Sequence, residues 1–180
     1  MHIAYIALGA NLESWAGAPA VTLARAAERL QSLGRVRSRS SLYSTTPVGL
    51  RGQPRFVNAV ATFETDLQPG ALLQELLKIE KEFGRNRTGE IPNGPRTLDL
   101  DILLVDDLEV DEPGLVLPHP RMSDRAFVLV PLHEIAPQLK IPGRGKTVAE
   151  LLKSFNDRNK DDADAVVRME SDEWHAAARP

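Results

Sequence analysis

Gly94-Pro95-Arg96-Thr97-Leu98-Asp99-Leu100-Asp101-Ile102-Leu103-Leu104 is the stretch that decides the fold. A turn leads into a run that alternates at its centre. Leu98, Leu100 and Ile102 fall on one side, Thr97, Asp99 and Asp101 on the other. A period of two predicts a strand with one face in the core. Two residues along a strand advance about 6.6 Å, so the Asp99 and Asp101 carboxylates stand side by side with apolar residues behind them. Such a pair repels unless protons, arginines or metal ions come between. Hard oxygen ligands suit Mg2+, and the pair is expected to hold magnesium for phosphoryl-group chemistry.

Moving upstream, Arg85 to Asn93 is a polar loop. Lys78, Lys81, Arg85, Arg87 and Arg96 gather positive charge just ahead of the pair, and arginine forks match phosphate oxygens. Pro69 to Phe83 predicts a helix, with Leu72, Leu73, Leu76, Leu77 and Ile79 on its apolar side, Pro69 in its first turn and Gly84 as its stop. Pro54 to Asp66 alternates again and predicts a long strand. Val57, Ala59, Ala61 and Phe63 share one face; Phe56, Asn58, Val60 and Thr62 share the other. Asparagine is disfavoured in strands. Asn58 therefore either satisfies a core hydrogen bond or reads the amide-like edge of a flat ligand on which Phe56 stacks.

Ser44 to Gln53 is a loop able to close over a ligand. Val36 to Tyr43 predicts a second, rather polar strand, and Pro19 to Leu33 a helix capped by Gly34. His2 to Leu8 predicts a buried strand, broken by Gly9-Ala10-Asn11-Leu12. That break is either a plain turn or a place where a ligand nears the backbone.

Downstream, Asp106-Asp107 form a turn, and Leu108 to Val110 is a short return strand or part of a hairpin with Leu100 to Val105. Pro118 and Pro120 pin His119 between them. Ser123 or Asp124 caps a short helix to Val130, Pro131 interrupts it, and Leu132 to Ala136 continues. Thr147 and Glu150 are spaced as a capping box for a last helical turn or two to Leu152. Ala165 to Met169 adds an edge strand, and the final residues are expected to be mobile. Residues 1–155 read as one domain and 156–180 as a charged extension.

The order is β α β β α β, an α+β, ferredoxin-like arrangement in which helices pack on an antiparallel sheet. A chain of 180 residues suits one domain, and a net charge of −3 gives no reason to expect nucleic-acid binding. With no cysteine, thiolate catalysis, disulfides and cysteine zinc sites are excluded. No stretch approaches the roughly 18 apolar residues of a membrane span, so a cytoplasmic location is expected; a monomer is expected as well. Gly145-Lys146-Thr147 imitates the end of a phosphate-binding loop, but Lys140 stands where its first glycine belongs.

Five segments carry a resemblance: Tyr5-Ile6-Ala7-Leu8-Gly9-Ala10-Asn11-Leu12, Tyr43-Ser44-Thr45-Thr46-Pro47-Val48-Gly49, Phe56-Val57-Asn58-Ala59, Gly94 to Ile102, and Pro118-His119-Pro120-Arg121-Met122. From about residue 3 to 142 the chain resembles the 6-hydroxymethyl-7,8-dihydropterin pyrophosphokinases of folate biosynthesis. The resemblance implies a three-layer α/β/α ferredoxin-like fold, transfer of diphosphate from ATP to the pterin hydroxymethyl group with release of AMP, and two Mg2+. It implies Asp99 and Asp101 as metal ligands, with Arg85 and Arg96 completing the catalytic set. Thr45, Pro47, Val48, Phe56, Asn58 and Phe127 match pterin-contacting positions. Glu80, Arg87, Arg96, Ile102, His119 and Arg125 match ATP-contacting positions. Arg85 and Arg87 match the basic start of a mobile catalytic loop. The chain departs from part of the family in lacking an Arg-Trp pair before Gly94, and in having Pro120 where an aromatic also occurs. Two other readings stay open: a non-catalytic ferredoxin-like module in which the Asp pair is a solvated face or partner contact, and an ordinary kinase releasing ADP.

Overall fold

The computed structural model describes residues 1–50, 52–89, 91–159 and 166–176. In chain order it comprises β1 (His2–Ala10), α1 (Pro19–Leu30), β2 (Arg35–Arg39), β3 (Leu42–Thr45), β4 (Phe56–Thr65), α2 (Pro69–Glu82) and β5 (Asp99–Val105). The small pair β6 (Val110–Glu112) and β7 (Leu115–Leu117) follows, with α3 (Ala126–Ile135), α4 (Val148–Arg158), β8 (Val166–Met169) and α5 (Asp172–Ala176). Strands β5, β1, β4, β3 and β8 lie side by side in that order, and β2 pairs with β4 beyond the end of β3, completing a six-stranded antiparallel sheet.

The alternation of β1 sends its two faces into two cores. Ala4, Ile6, Leu8 and Ala10 join Val57, Ala59, Ala61 and Phe63 of β4 under α1 and α2. Tyr5 and Ala7 pack on the other side with Val60 and with Leu129 and Leu132 of α3. Helices therefore cover both faces, as the α/β/α expectation requires.

One irregularity in β5 matters for the site. Ile6 pairs with Ile102 and Tyr5 with Leu104, so Leu103 is an extra, bulged residue. Its carbonyl accepts a hydrogen bond from the His119 N–H (2.7 Å). The bulge thus anchors the histidine between the two prolines.

Several boundaries differ from the sequence expectations, each for a non-local reason. The strand expected over 36–43 is broken at Ser40-Ser41, because Ser40 Oγ accepts from the Val60 N–H (3.0 Å) and Glu134 of α3 accepts from the Ser41 N–H (2.8 Å). Gly34 is not a left-handed cap; α1 ends at Leu30, and a Cβ on Gly34 would lie 2.2 Å from the Glu64 carbonyl oxygen. Pro131 does not interrupt α3, which is continuous across it. Leu108 to Val110 makes no hairpin with β5; Val110 begins the separate β6–β7 ribbon. The boundary expected near residue 155 falls inside α4, and β8 pairs with β3. The expected mobility of the final residues concerns 177–180, which lie outside the described residues, as do 160–165.

Candidate active site

Strand pairing lines up the site before any side chain is considered. Gly9 of β1 pairs with Asn58 on one side and Asp99 on the other. One step along, Ala7 pairs with Val60 and Asp101. Asn58 and Asp99 are thus two strand spacings apart, about 9–10 Å, on one face of the sheet with a glycine between them. A Cβ on Gly9 would lie 2.8 Å from Asn58 Oδ1 and 4.0 Å from the Asp99 Cβ. Gly9 and Ala10 were expected to break β1; they belong to it, and the glycine keeps a shallow floor open between the amide and the carboxylates.

At the carboxylate end, helix α2 stops in a paired-bond C-cap. Gly84 takes a left-handed φ of 85°, its N–H reaches the Lys81 carbonyl (3.0 Å), and the Arg85 N–H reaches the Glu80 carbonyl (3.0 Å). This turn folds Arg85 back over Glu80. Arg85 Nη1 donates to Glu80 Oε1 (3.0 Å), to the Leu98 carbonyl (3.2 Å) and to Asp99 Oδ1. Arg96 Nη1 donates to Asp99 Oδ2 (2.8 Å). Burial raises the Asp99 carboxyl, but Arg96 and Arg85 outweigh it and hold the group below its ordinary range. Asp101 goes the other way: burial, then the charge on Asp99, push it up against the pull of Arg125 (3.8 Å). The pair is therefore asymmetric, with one carboxylate saturated by cations and one short of them.

Among the described residues no group of three or more Asp, Glu, His or Cys converges as a complete metal cage. Two carboxylates fit Mg2+ all the same, because that ion keeps waters and takes substrate phosphate oxygens as its other ligands. Under-compensated Asp101 is the observation that fits a cation here.

Glu80 is 1% exposed and fully used. Oε1 accepts from the Leu100 N–H (2.8 Å) and from Arg85, and Oε2 from Arg87 Nε (3.2 Å) and Nη2 (2.5 Å). Removing it leaves Arg85, whose side chain is only 5% exposed, with Asp99 as its remaining counter-charge and the Leu100 N–H without an acceptor. Glu80→Ala is expected to lower unfolding free energy by about 1–3 kcal/mol, read from urea denaturation midpoints; no measurable loss would overturn the assignment. The Arg87 pair is half exposed and contributes little to that figure.

At the amide end, Asn58 Nδ2 donates to the buried Thr45 Oγ1 (2.7 Å), which leaves Asn58 Oδ1 over Gly9. Phe56 lies with its ring 5.5 Å from the Arg96 guanidinium, and Phe127 with its ring 5.3 Å from that of Arg125. His119 Nδ1 accepts from the Arg121 N–H (3.2 Å), placing the neutral ring's proton on Nε2. Burial, then Arg125 and Arg121, lower His119 to about 4, so at neutral pH it is an uncharged donor.

Asp99, Asp101, Arg85, Arg87, Arg96, Glu80, Arg125, Phe127, His119, Asn58, Thr45 and Phe56 thus gather on or beside one sheet face. Three expected residues stand apart. The Ile102 side chain is in the opposite core under α2, leaving only its backbone for the site. Val48 is 68% exposed on its loop, and Pro47 is half-buried beside it.

Sequence reasoning missed Asn11, which it treated as part of a turn. Buried Asn11 accepts from the Arg96 N–H at Oδ1 (2.8 Å) and donates from Nδ2 to Gln53 Oε1 and the Pro54 carbonyl (3.0 Å each). Its own N–H reaches the Arg96 carbonyl (3.0 Å). One side chain therefore ties the loop after β3 to the Arg96 turn, and Gln53 adds a bond to the Asn93 carbonyl (2.8 Å). Arg55 was also missed; it donates to Ser44 Oγ (2.8 Å) and Thr46 Oγ1 (2.9 Å) at the root of the same loop.

A family model described as 7,8-dihydro-6-hydroxymethylpterin-pyrophosphokinase (HPPK) matches residues 5–137. A 2-amino-4-hydroxy-6-hydroxymethyldihydropteridine pyrophosphokinase of Haemophilus influenzae is 43% identical over 159 residues, which is 87% of this chain and 95% of the relative. The protein of the same name from Pseudomonas aeruginosa is 45% identical over 150 residues, 82% of this chain and 88% of its own. Among solved structures, wild-type Plasmodium falciparum HPPK-DHPS superposes with a TM-score of 0.72 at 16% identity, over 95% of this chain. The chain spans about half (48%) of that protein's length, and at that identity the likeness shows the fold alone.

Proposed function

The chain belongs to the 7,8-dihydro-6-hydroxymethylpterin-pyrophosphokinase family, and from that premise we propose that its sheet face moves a diphosphate group from ATP to the hydroxymethyl group of 6-hydroxymethyl-7,8-dihydropterin, releasing AMP. The protein is then a diphosphotransferase of folate biosynthesis. The observation that carries the assignment of the site is the row Asn58–Gly9–Asp99 across three paired strands. It sets a heterocycle-reading amide and the carboxylates one flat ring system apart, over a floor with no side chain.

Each end of the row has its task. Asn58 meets the donor and acceptor edge of the pterin, held in orientation by Thr45, while Phe56 and Phe127 cover its faces and Pro47 and Val48 offer backbone from the loop. Arg96, Arg125, Arg87 and neutral His119 meet the ATP phosphates. Glu80 acts on ATP through the two arginines it holds, and Ile102 through its backbone. Asp99 and Asp101 would hold the two Mg2+, which when bound neutralise phosphate charge and lower the pKa of the attacking hydroxyl. In the structure Asp99 is engaged by Arg85 and Arg96; phosphate oxygens offer those guanidinium groups an alternative partner and free the carboxylate. Phosphoryl transfer asks mainly for positioning and charge neutralisation, and these side chains provide both. We take the enzyme to be a cytoplasmic monomer acting on small molecules, and a net charge of −3 gives no reason to expect a nucleic-acid partner.

Incubation with ATP, Mg2+ and the hydroxymethyl-dihydropterin is expected to release AMP in amounts that depend on the pterin. Pterin-dependent ADP would make the protein an ordinary kinase, and folded protein with no nucleotide turnover would make it a binding module.

A further inference from the structure

A cavity lies at the far edge of the sheet, where β2 gives way to β3. Its volume is about 660 Å3, and Arg35, Arg37, Arg39, Arg168, Glu134 and Trp174 line it. A volume of this order is that of small-ligand pockets. The charge is lopsided. Glu134 is the one carboxylate in this set and is already spent on the Ser41 N–H, the Ser41 hydroxyl (2.8 Å each) and the Tyr43 hydroxyl (2.9 Å). Arg37 is paired with Glu64 (3.0 Å). Among the described residues, neither Arg35 nor Arg168 has an ion-pair partner.

Arg39 turns a cationic edge into a built site. Its guanidinium lies 4.3 Å over the Trp174 ring, and Nη2 donates to the Trp174 carbonyl (2.8 Å). Trp174 is held in turn by a bond from Nε1 to the Ser40 carbonyl (2.8 Å). The guanidinium is therefore immobilised, yet Nη1 is buried and has no hydrogen-bond partner. A buried donor without an acceptor costs about 1–3 kcal/mol, and the fork geometry of arginine suits a phosphate oxygen at that place.

We propose that this cavity is a second anion site, which takes a small phosphate-bearing molecule on Arg39 Nη1 with Arg35 and Arg168 closing on its other oxygens. Arg168 lies in register with Tyr43 and Asn58, two strands beyond the amide, and the proposal does not depend on the activity assigned to the Asn58–Gly9–Asp99 row.

The chain has two tryptophans, so Trp15→Phe leaves Trp174 emission as a local probe. Titration of full-length Trp15→Phe with inorganic pyrophosphate is expected to give a saturable emission change. In the same background Arg35→Gln/Arg168→Gln is expected to weaken the midpoint at least tenfold, with AMP-forming turnover unchanged. Parallel titrations with inorganic phosphate and AMP separate the sources. Tighter pyrophosphate binding identifies a free polyphosphate, tighter AMP binding a nucleotide, and either supports the site. A change reproduced by sodium chloride at matched ionic strength, or a midpoint unmoved by the double substitution, would overturn it.

Discussion

Asp101→Asn is expected to lower turnover about 10^3-fold while leaving the ligand-free protein as stable as the wild type, or more so. The two halves of that result have different causes. A metal-binding carboxylate supplies several kcal/mol of transition-state charge stabilisation, and about 1.4 kcal/mol is a factor of ten in rate. Stability moves the other way because burial and Asp99 both disfavour ionised Asp101 in the fold. A carboxyl whose folded pKa is raised destabilises the fold at pH values above its unfolded pKa of about 3.9, so the neutral amide removes a cost at neutral pH. Asp99→Asn should separate from it. Arg96 loses its acceptor charge and Arg85 one of its two, keeping Glu80, so activity and thermal midpoint fall together. The added midpoint that Mg2+ and ATP confer on the wild type by mass action should be absent in both variants. Turnover within tenfold of wild type for Asp101→Asn would sink the metal assignment.

Gly9 offers the sharpest separation of pterin from ATP. The added methyl of Gly9→Ala would come to 2.8 Å from Asn58 Oδ1, so the amide must turn away and give up its bond to Thr45. Gly9 has no left-handed φ, so the backbone accepts alanine, and rotation of one amide limits the stability loss to about 1 kcal/mol. The expected result is an apparent KM for the pterin raised tenfold or more, with the KM for ATP within about twofold. Gly9→Val should also lower kcat about 10^2-fold, because its branches would stand on the floor proposed to separate the two substrates and misplacement of the reacting atoms is costly. Steady-state kinetics with each substrate varied at saturation of the other makes the measurement. An unchanged pterin KM in Gly9→Ala would show that the row is not the pterin floor.

How far the site could be read from the chain follows from what each residue responds to. Asp99 and Asp101 were legible because alternation with Leu98, Leu100 and Ile102 is a property of the strand itself. Gly84 was legible as a helix stop, and Thr147 with Glu150 as a capping box, because those bonds close within a few residues. Gly34 was misread because the atom that forbids a side chain there belongs to Glu64, 30 positions away on another strand. The broken strand at Ser40-Ser41 was hidden for the same reason, since its partners are Val60 and Glu134. Asn11 looked like any turn asparagine until Arg96, Gln53 and Pro54 were brought to it.

By itself, then, the sequence determined which residues share a face of the central strands and where α2 stops and α4 starts, because side-chain periodicity and capping are local. Only the tertiary structure decided the register that sets Gly9 between Asn58 and Asp99, the division of charge that saturates Asp99 and leaves Asp101 wanting a cation, and the edge cavity around Arg39. Those depend on which strand pairs with which and by how many residues each is offset. That offset is settled by burying both faces of the sheet at once, and no single segment carries it.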